Sequence, residues 1–313
     1  MIPATQIRSV LVASDLLEGS DDLLRSASEL ALATEAELHV VHAYGEPSVL
    51  SREPRELLDV QRQVHERRAR LHDQVARSVR PGIRTGIIRV STGTPSASIL
   101  EAADDIRADV ILLGAHRDRG IADRYLGSTA ERVLGRTSVP CLVLNGPLTL
   151  PIRKIVVPTD QSAPAQRALQ TALRWAGEVG QRGQPELALA HVLDASDGDQ
   201  PGPHRRLDLR QGLEQAVAEA RGDTGADLPV RIELLEGDTP ANSLVDFIEA
   251  DGSDLIVMGT HGDGLLVRVL LGSVSSALFR RTTVPLLMVP RRATSTDLPE
   301  VLVDDDLPEP VAL

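Results

Sequence analysis

Residues 257–276 read VMGTHGDGLLVRVLLGSVSS: an apolar run closing on Gly259, a loop carrying Gly262, and the pair Gly272-Ser273. Residues 112–131 read LLGAHRDRGIADRYLGSTAE, with Gly114 and Gly127-Ser128 in the matching places. The offset is the same at both landmarks, 145 residues (259 − 114 and 272 − 127). It also relates Asp15 to Asp160, Thr94-Pro95 to Thr239-Pro240, and Val139-Pro140 to Val284-Pro285. A period this long is far beyond the roughly 20–50 residues of solenoid repeats. The chain of 313 residues therefore holds two copies of one whole domain, each near the usual domain size.

Each copy alternates short apolar runs with helical periodicities. In copy 1 the runs are IRSVLVASD (7–15), AELHVVHAY (36–44), IRTGIIRV (83–90), DVILLGA (109–115) and VPCLVLN (139–145). Between them, helices are expected from Ser20 as N-cap, over a polar stretch at about 52–79, over 94–106, and from Ser128. Copy 2 repeats the order: RKIVVPTD, helix 162–179, LALAHVLD, helix 205–221, VRIELLEG, helix 240–250, DLIVMGT, loop 259–272, helix 273–281, VPLLMVP. Four extra residues around 180–185 are offset by a shorter stretch before Thr239, so the length changes fall in loops. Strands alternating with helices specify an α/β fold. Two tandem Rossmann-like domains are expected, each a five-stranded parallel sheet with helices on both faces and right-handed crossovers.

The boundaries expected are 1–147, 152–292 and a tail at 293–313. The link GPLTLPIR (146–153) is short enough to hold the domains close. The apolar fifth strands suit sheet edges, which need covering; they are expected to meet each other between the domains, or to serve an edge-strand homodimer. The tail carries Asp297, Glu300, Asp304, Asp305, Asp306 and Glu309 with three prolines and no base, half of the net charge of −12. That composition cannot pack a core and is expected to be disordered. The acidic body disfavours nucleic acid as a partner, and a basic stretch at 62–80 is broken by Glu66 and Asp73 into a solvated helix face. One cysteine, Cys141 in an apolar run, excludes an intramolecular disulfide, and no Cys/His cluster has zinc spacing. No signal-type segment and no membrane-length apolar run occur, so a cytoplasmic chain without membrane contact is expected.

In open parallel sheets, ligands bind beyond the carboxyl ends of the strands, where strand order reverses. The special residues of copy 2 cluster there: Asp160 after the first strand, then Gly259, Gly262 and Gly272-Ser273 around the fourth strand and the helix after it. A helix opening at Ser273-Val274-Ser275 presents unpaired N–H groups and the positive end of its dipole to a phosphate. Asp160 suits ribose hydroxyls, with turn-forming and helix-capping duties as the alternative. His261, like His116 in copy 1, lies inside the glycine loop as a candidate phosphate contact or packing residue. His42 and His191, at the second strand ends, are expected to be satisfied core histidines.

With VVPTDQS, LALAHV and VPLLMVP, the stretch quoted first closely resembles the universal stress protein family in its tandem form, over about 6–145 and 152–290. The resemblance implies, for the ATP-binding branch, a bound adenine nucleotide. By motif, Pro158, Thr159 and Asp160 would line the nucleoside, with Asp160 on the ribose, and Val192 would meet the adenine edge through its backbone. Met258 and Gly259 would flank the ribose, and Gly262, Gly272, Ser273, Val274 and Ser275 would hold the phosphates, with Mg²⁺ carried by them. The matching set in copy 1 is Asp15, Ala43, Gly114, Arg117, Gly127, Ser128 and Thr129.

Copy 1 departs from the pattern at Arg117, which stands where copy 2 has Gly262. The arginine either obstructs the approach of backbone to phosphate or turns inward and pairs with it as a guanidinium fork. Copy 2 is expected to bind more firmly. The function implied is an ATP-dependent stress or dormancy regulator with a protein partner. The alternatives are a slow ATPase or nucleotidyl-transfer enzyme, disfavoured by the lack of a G-x4-G-K-[ST] lysine, and a nucleotide-free scaffold.

Overall fold

The computed structural model describes residues 7–45, 54–114, 126–180, 183–193, 202–260 and 272–290. Copy 1 runs β1 (Ser9–Ser14), α1 (Gly19–Thr34), β2 (Glu37–Tyr44), α2 (Pro54–Ser78), β3 (Thr85–Thr92), α3 (Pro95–Ile106), β4 (Val110–Gly114), α4 (Ser128–Leu134) and β5 (Cys141–Leu144). Copy 2 repeats it as β6 (Lys154–Pro158), α5 (Ala163–Val179), β7 (Glu186–Val192), α6 (Pro203–Thr224), β8 (Val230–Leu235), α7 (Pro240–Asp251), β9 (Leu255–Gly259), α8 (Ser273–Arg281) and β10 (Leu286–Val289). Every expected element is present, most within a residue or two of its expected bounds. α6 extends two to three residues beyond them at each end.

The strands join in one ten-stranded sheet, ordered β3-β2-β1-β4-β5-β10-β9-β6-β7-β8. Within each copy all pairings are parallel. The central strands are buried on both faces, which is why they read as unbroken apolar runs rather than alternating ones. α1, α2, α5 and α6 cover one face, with Leu24, Leu71, Leu169 and Leu213 among the residues packed there. α3, α4, α7 and α8 cover the other through Ile99, Val133, Ile248 and Leu278.

The fifth strands meet as expected. β5 and β10 pair antiparallel, with Leu142 opposite Leu287, its own counterpart (142 + 145), so a pseudo-two-fold axis passes through that pair. Cys141 faces Met288 across the seam and is fully buried, and burial pushes its thiol pKa far up, as an inert packing role requires. The link packs rather than spans: Leu148 and Ile152 are buried, the Leu148 N–H donates to Ser26 Oγ (3.1 Å), and the Ile152 N–H to Val179 O. An edge-strand dimer through β5 or β10 is thereby displaced, because their hydrogen-bonding edges are used within the chain. The outer strands of the sheet are β3 and β8.

The antiparallel seam has one consequence for function. The carboxyl ends of the copy 1 strands and those of the copy 2 strands point to opposite ends of the sheet. The two candidate sites are therefore remote from each other.

Candidate nucleotide site

The strand order reverses between β1 and β4 in copy 1 and between β6 and β9 in copy 2, and each reversal opens a crevice beyond the carboxyl ends. In copy 2 this brings together Pro158, Thr159 and Asp160 at the end of β6, Val192 at the end of β7, Met258 and Gly259 at the end of β9, and the start of α8. His261 and Gly262 lie outside the described residues, as do His116 and Arg117. Asp160 and Ser273 are exposed, Val192, Gly272 and Val274 half-buried, and Pro158, Met258 and Ser275 buried.

The loop after the first strand is built identically in both copies. In copy 1 the Leu16 N–H donates to Ser14 Oγ (3.0 Å) and the Leu17 N–H to Asp15 Oδ1 (2.9 Å). In copy 2 the Gln161 N–H donates to Thr159 Oγ1 (3.0 Å) and the Ser162 N–H to Asp160 Oδ1 (3.0 Å). Such side-chain-to-backbone turns reverse the chain sharply and leave the middle residue left-handed. Leu16 and Gln161 accordingly both have φ of 63°.

The aspartates then differ. In copy 1 the Ser20 hydroxyl donates to Asp15 Oδ1 (2.5 Å) and accepts from the Asp15 N–H (3.2 Å). Ser20 is thus not the helix N-cap expected from sequence; Glu18 holds that position, without a side-chain cap bond. In copy 2 the equivalent residue is Ala165, and Ser162 is the N-cap, its Oγ accepting from the Ala165 N–H (3.3 Å). Asp160 is therefore not the cap either. Its turn loads Oδ1 with one bond where Asp15 Oδ1 takes two, and in both aspartates Oδ2 makes no hydrogen bond among the described residues.

Copy 1 is also braced from outside the loop by a residue the sequence did not single out. Gln74 on α2 is buried, accepts from the Ser14 hydroxyl (2.6 Å), and donates to Leu17 O (3.1 Å) and Asp21 Oδ1 (2.6 Å). Burial opposes ionisation of Asp21, yet the hydrogen bonds from Arg77 and Gln74 hold its carboxyl below the usual range.

The strand-end glycines also differ in origin. A Cβ on Gly259 would lie 2.8 Å from Pro164 Cβ and 3.2 Å from Pro164 O, so α5 packs against β9 closely enough to demand glycine there. At Gly114 the nearest atom is Leu23 Cδ2 at 3.5 Å, an ordinary contact. Gly272, by contrast, has an unstrained φ of −61°, and its Cβ would meet only Ser275 Oγ at 3.9 Å. Nothing among the described residues requires glycine at that position by strain or crowding.

Gly272 is the N-cap of α8 and lends no side chain to the helix; the first intrahelical bond runs from the Ser276 N–H to Gly272 O. The N–H groups of Ser273, Val274 and Ser275 precede it, forming the positive end of the helix. Gly127 begins the matching helix in copy 1, with Ser128 exposed and Thr129 half-buried, but α4 has 7 residues against 9 for α8. Gly114 is exposed and Ala43 half-buried at the copy 1 strand ends.

His42 Nδ1 lies 2.8 Å from Ser14 O, and His191 Nδ1 lies 2.8 Å from Thr159 O. A carbonyl only accepts, so each ring carries its proton on Nδ1. Both histidines tie the second strand to the end of the first. Burial is the main cause holding the pKa of His42 below its usual value, and Arg67 and Arg70 add to it. Among the described residues no group of three His, Cys, Asp or Glu has metal-binding geometry, and no helix is long and apolar enough to cross a membrane.

Known proteins share this architecture. A universal stress protein of Synechocystis is 27% identical over 207 residues, covering 65% of this chain and 66% of that protein. The chain thus spans just under two thirds of that relative. One from Mycolicibacterium smegmatis is 26% identical over 301 residues, covering 92% of this chain and 99% of its own. The crystal structure of a universal stress protein from Archaeoglobus fulgidus superposes with a TM-score of 0.68 at 25% identity, over 92% of this chain and all of the other. The model of the universal stress protein family matches residues 6–145 and again 151–290. The repeat, the strand order and these matches agree: this chain belongs to the universal stress protein family, with two of its domains in tandem.

Proposed function

We propose that copy 2 binds an adenine nucleotide, ATP by the motif, and that occupancy of this site regulates the binding of a protein partner. The observation that carries the reading is the convergence at one switch point of an aspartate with an uncommitted oxygen and an uncapped helix N-terminus. Asp160 Oδ2 suits ribose hydroxyls. The N–H groups of Ser273, Val274 and Ser275 suit phosphate oxygens, and Gly272 leaves their approach open. Pro158, Thr159, Met258, Gly259 and the backbone at Val192 would wall the nucleoside, with His261 and Gly262 on the phosphate side and Mg²⁺ held by the phosphates. In copy 1, Asp15, Ala43, Gly114, Arg117, Gly127, Ser128 and Thr129 form the weaker counterpart, because Arg117 replaces the second glycine, Ser20 adds a bond to Asp15 Oδ1 and the helix is shorter. The domain limits 1–147 and 152–292, with an acidic tail beyond, belong to the same reading.

A ligand shifts a conformational equilibrium only through its different affinity for the states. Nucleotide would act through its different affinity for the partner-binding states of copy 2. The experiment is mass spectrometry of small molecules released by denaturing freshly purified protein, followed by calorimetric titration of the stripped chain. ATP or ADP in the released fraction and saturable rebinding are expected. No nucleotide on release, and no heat on titration with millimolar ATP, would overturn the reading.

A further inference from the structure

The end of α8 remote from the candidate site is held by the other domain. Asn145, the residue after β5, is 2% exposed and donates through Nδ2 to Phe279 O (2.9 Å) and Thr282 O (3.3 Å). Those carbonyls belong to the last turn of α8 and to its C-cap residue. The bonds cross the seam between the copies, spanning 134 and 137 residues of chain. Two-fold symmetry predicts a reciprocal clamp from copy 2 onto α4, but the counterpart of Asn145 (145 + 145) is Pro290, whose side chain has no donor. Pro290 therefore cannot return the side-chain clamp that Asn145 gives to the longer helix.

A helix of 9 residues is about 13 Å long and stiff over that length, so fixing one end fixes the other. We propose that Asn145 is a positioning residue for the copy 2 nucleotide site: from copy 1 it holds the C-terminal end of α8 and so sets where the N–H groups of Ser273, Val274 and Ser275 stand. Copy 1 then contributes to the copy 2 site without touching the ligand. Asn145 lies at the carboxyl end of β5, the end of the sheet that bears copy 1's own candidate site, so α8 connects the two ends. The inference rests on the nucleotide reading above.

The test uses the full chain with Asn145→Leu, which deletes the donor, and Asn145→Asp, which keeps the shape and turns an oxygen toward the carbonyls. Each is expected to weaken ATP binding about tenfold, within the 5–150-fold usual for coupled sites, and to speed amide exchange at Leu278 and Phe279. Leu142→Ala, a control on the opposite face of the same seam, lowers Tm and leaves the Kd unchanged, which separates positioning from loss of stability. Folded Asn145 variants that bind ATP within twofold of wild type would overturn the proposal. If neither variant folds, NMR of the wild-type chain decides: the Asn145 side-chain amide should shift during ATP titration with the midpoint of the α8 amides, and a static signal refutes the coupling. If the wild-type chain binds no ATP, the nucleotide reading is what has failed; unchanged α8 exchange in Asn145→Asp would then refute the clamp on its own.

Discussion

The loops after β1 and β6 are the same device put to different ends. Both turn on a Ser or Thr hydroxyl, an aspartate carboxylate and a left-handed residue with φ of 63°. In copy 1, Gln74 takes the Ser14 hydroxyl and Ser20 adds a second bond to Asp15 Oδ1; in copy 2, Ala165 offers no hydroxyl, and Asp160 Oδ1 carries the turn bond alone. A duplicated fold thus keeps its backbone turn while side chains around it change what the turn is tied to. The lesson is that a motif residue being present says less than what else in the domain already holds it.

The strand-end glycines give the largest expected effect on stability. Gly259→Ala drives a methyl into Pro164 and should cost about 1–3 kcal/mol, as overpacking does. Gly114→Ala meets only ordinary contacts and should be neutral or stabilising by up to about 1 kcal/mol through the unfolded chain. Chemical denaturation of the two variants checks the pair. Equal costs would mean that the strand-end packing does not differ as described.

A smaller effect separates the outer strands. The pairing of β2 with β3 is shifted between Leu38 and Val40, and the Ile87 N–H donates to His39 Nδ1 (3.0 Å). A Cβ on Gly86 would lie 2.3 Å from the His39 ring, so glycine there makes room for it. The pairing of β7 with β8 runs without a shift, and Ala188 stands where copy 1 has His39. Burial holds the pKa of His39 below its usual value, opposed by Glu37 across 3.4 Å; Arg89 and Asp105 line the cavity beside the ring. His42, on the same strand, is depressed in the same direction. A depressed folded pKa means that the fold favours neutral histidine. The stability is complete above about pH 6.5 and is lost as pH falls from there through the lower folded values. Amide exchange, corrected for its intrinsic pH dependence, should therefore show protection at β2–β3 falling between pH 7.5 and 5.5 while β7–β8 holds. Equal loss in the two pairs would contradict this.

The smallest effect concerns helix ends. Arg107, after α3, has a φ of 51°, where its counterpart Gly252 has 68°. An L-residue in the left-handed region is strained by about 1 kcal/mol, so Arg107→Gly should raise stability by up to that amount and Gly252→Arg lower it. Thermal melts of both variants test the sign.

Much of this was legible in the sequence, for identifiable reasons. The constant offset of 145 residues, apolar runs closing on Asp or Gly, and proline at helix starts determine element order and domain count. Apolar fifth strands predicted the seam, because an uncovered edge of Cys141–Leu144 and Leu286–Val289 would be costly. The fate of single polar groups was not legible. Ser20 has the residue type of an N-cap and became a partner of Asp15, because the turn placed it one step inside the helix. Gln74 and Asn145 lie 60 and 134 residues from their partners Ser14 and Phe279, with no local pattern to mark them. Gly259 carried a motif signal, yet its closest constraint is Pro164, a packing contact that no spacing rule contains.

The central claim is that copy 2 is the nucleotide-binding copy, and paired substitutions test it most directly. ATP is titrated by calorimetry into the wild-type chain and into Asp160→Ala, Gly272→Glu, Asp15→Ala and Gly127→Glu. The account predicts that the two copy 2 changes remove most of the binding, the glutamate by filling the open approach at Gly272 with an opposing charge. The matching copy 1 changes should have much smaller effects. A greater loss of sites or affinity from Asp15→Ala and Gly127→Glu than from their copy 2 counterparts would contradict it.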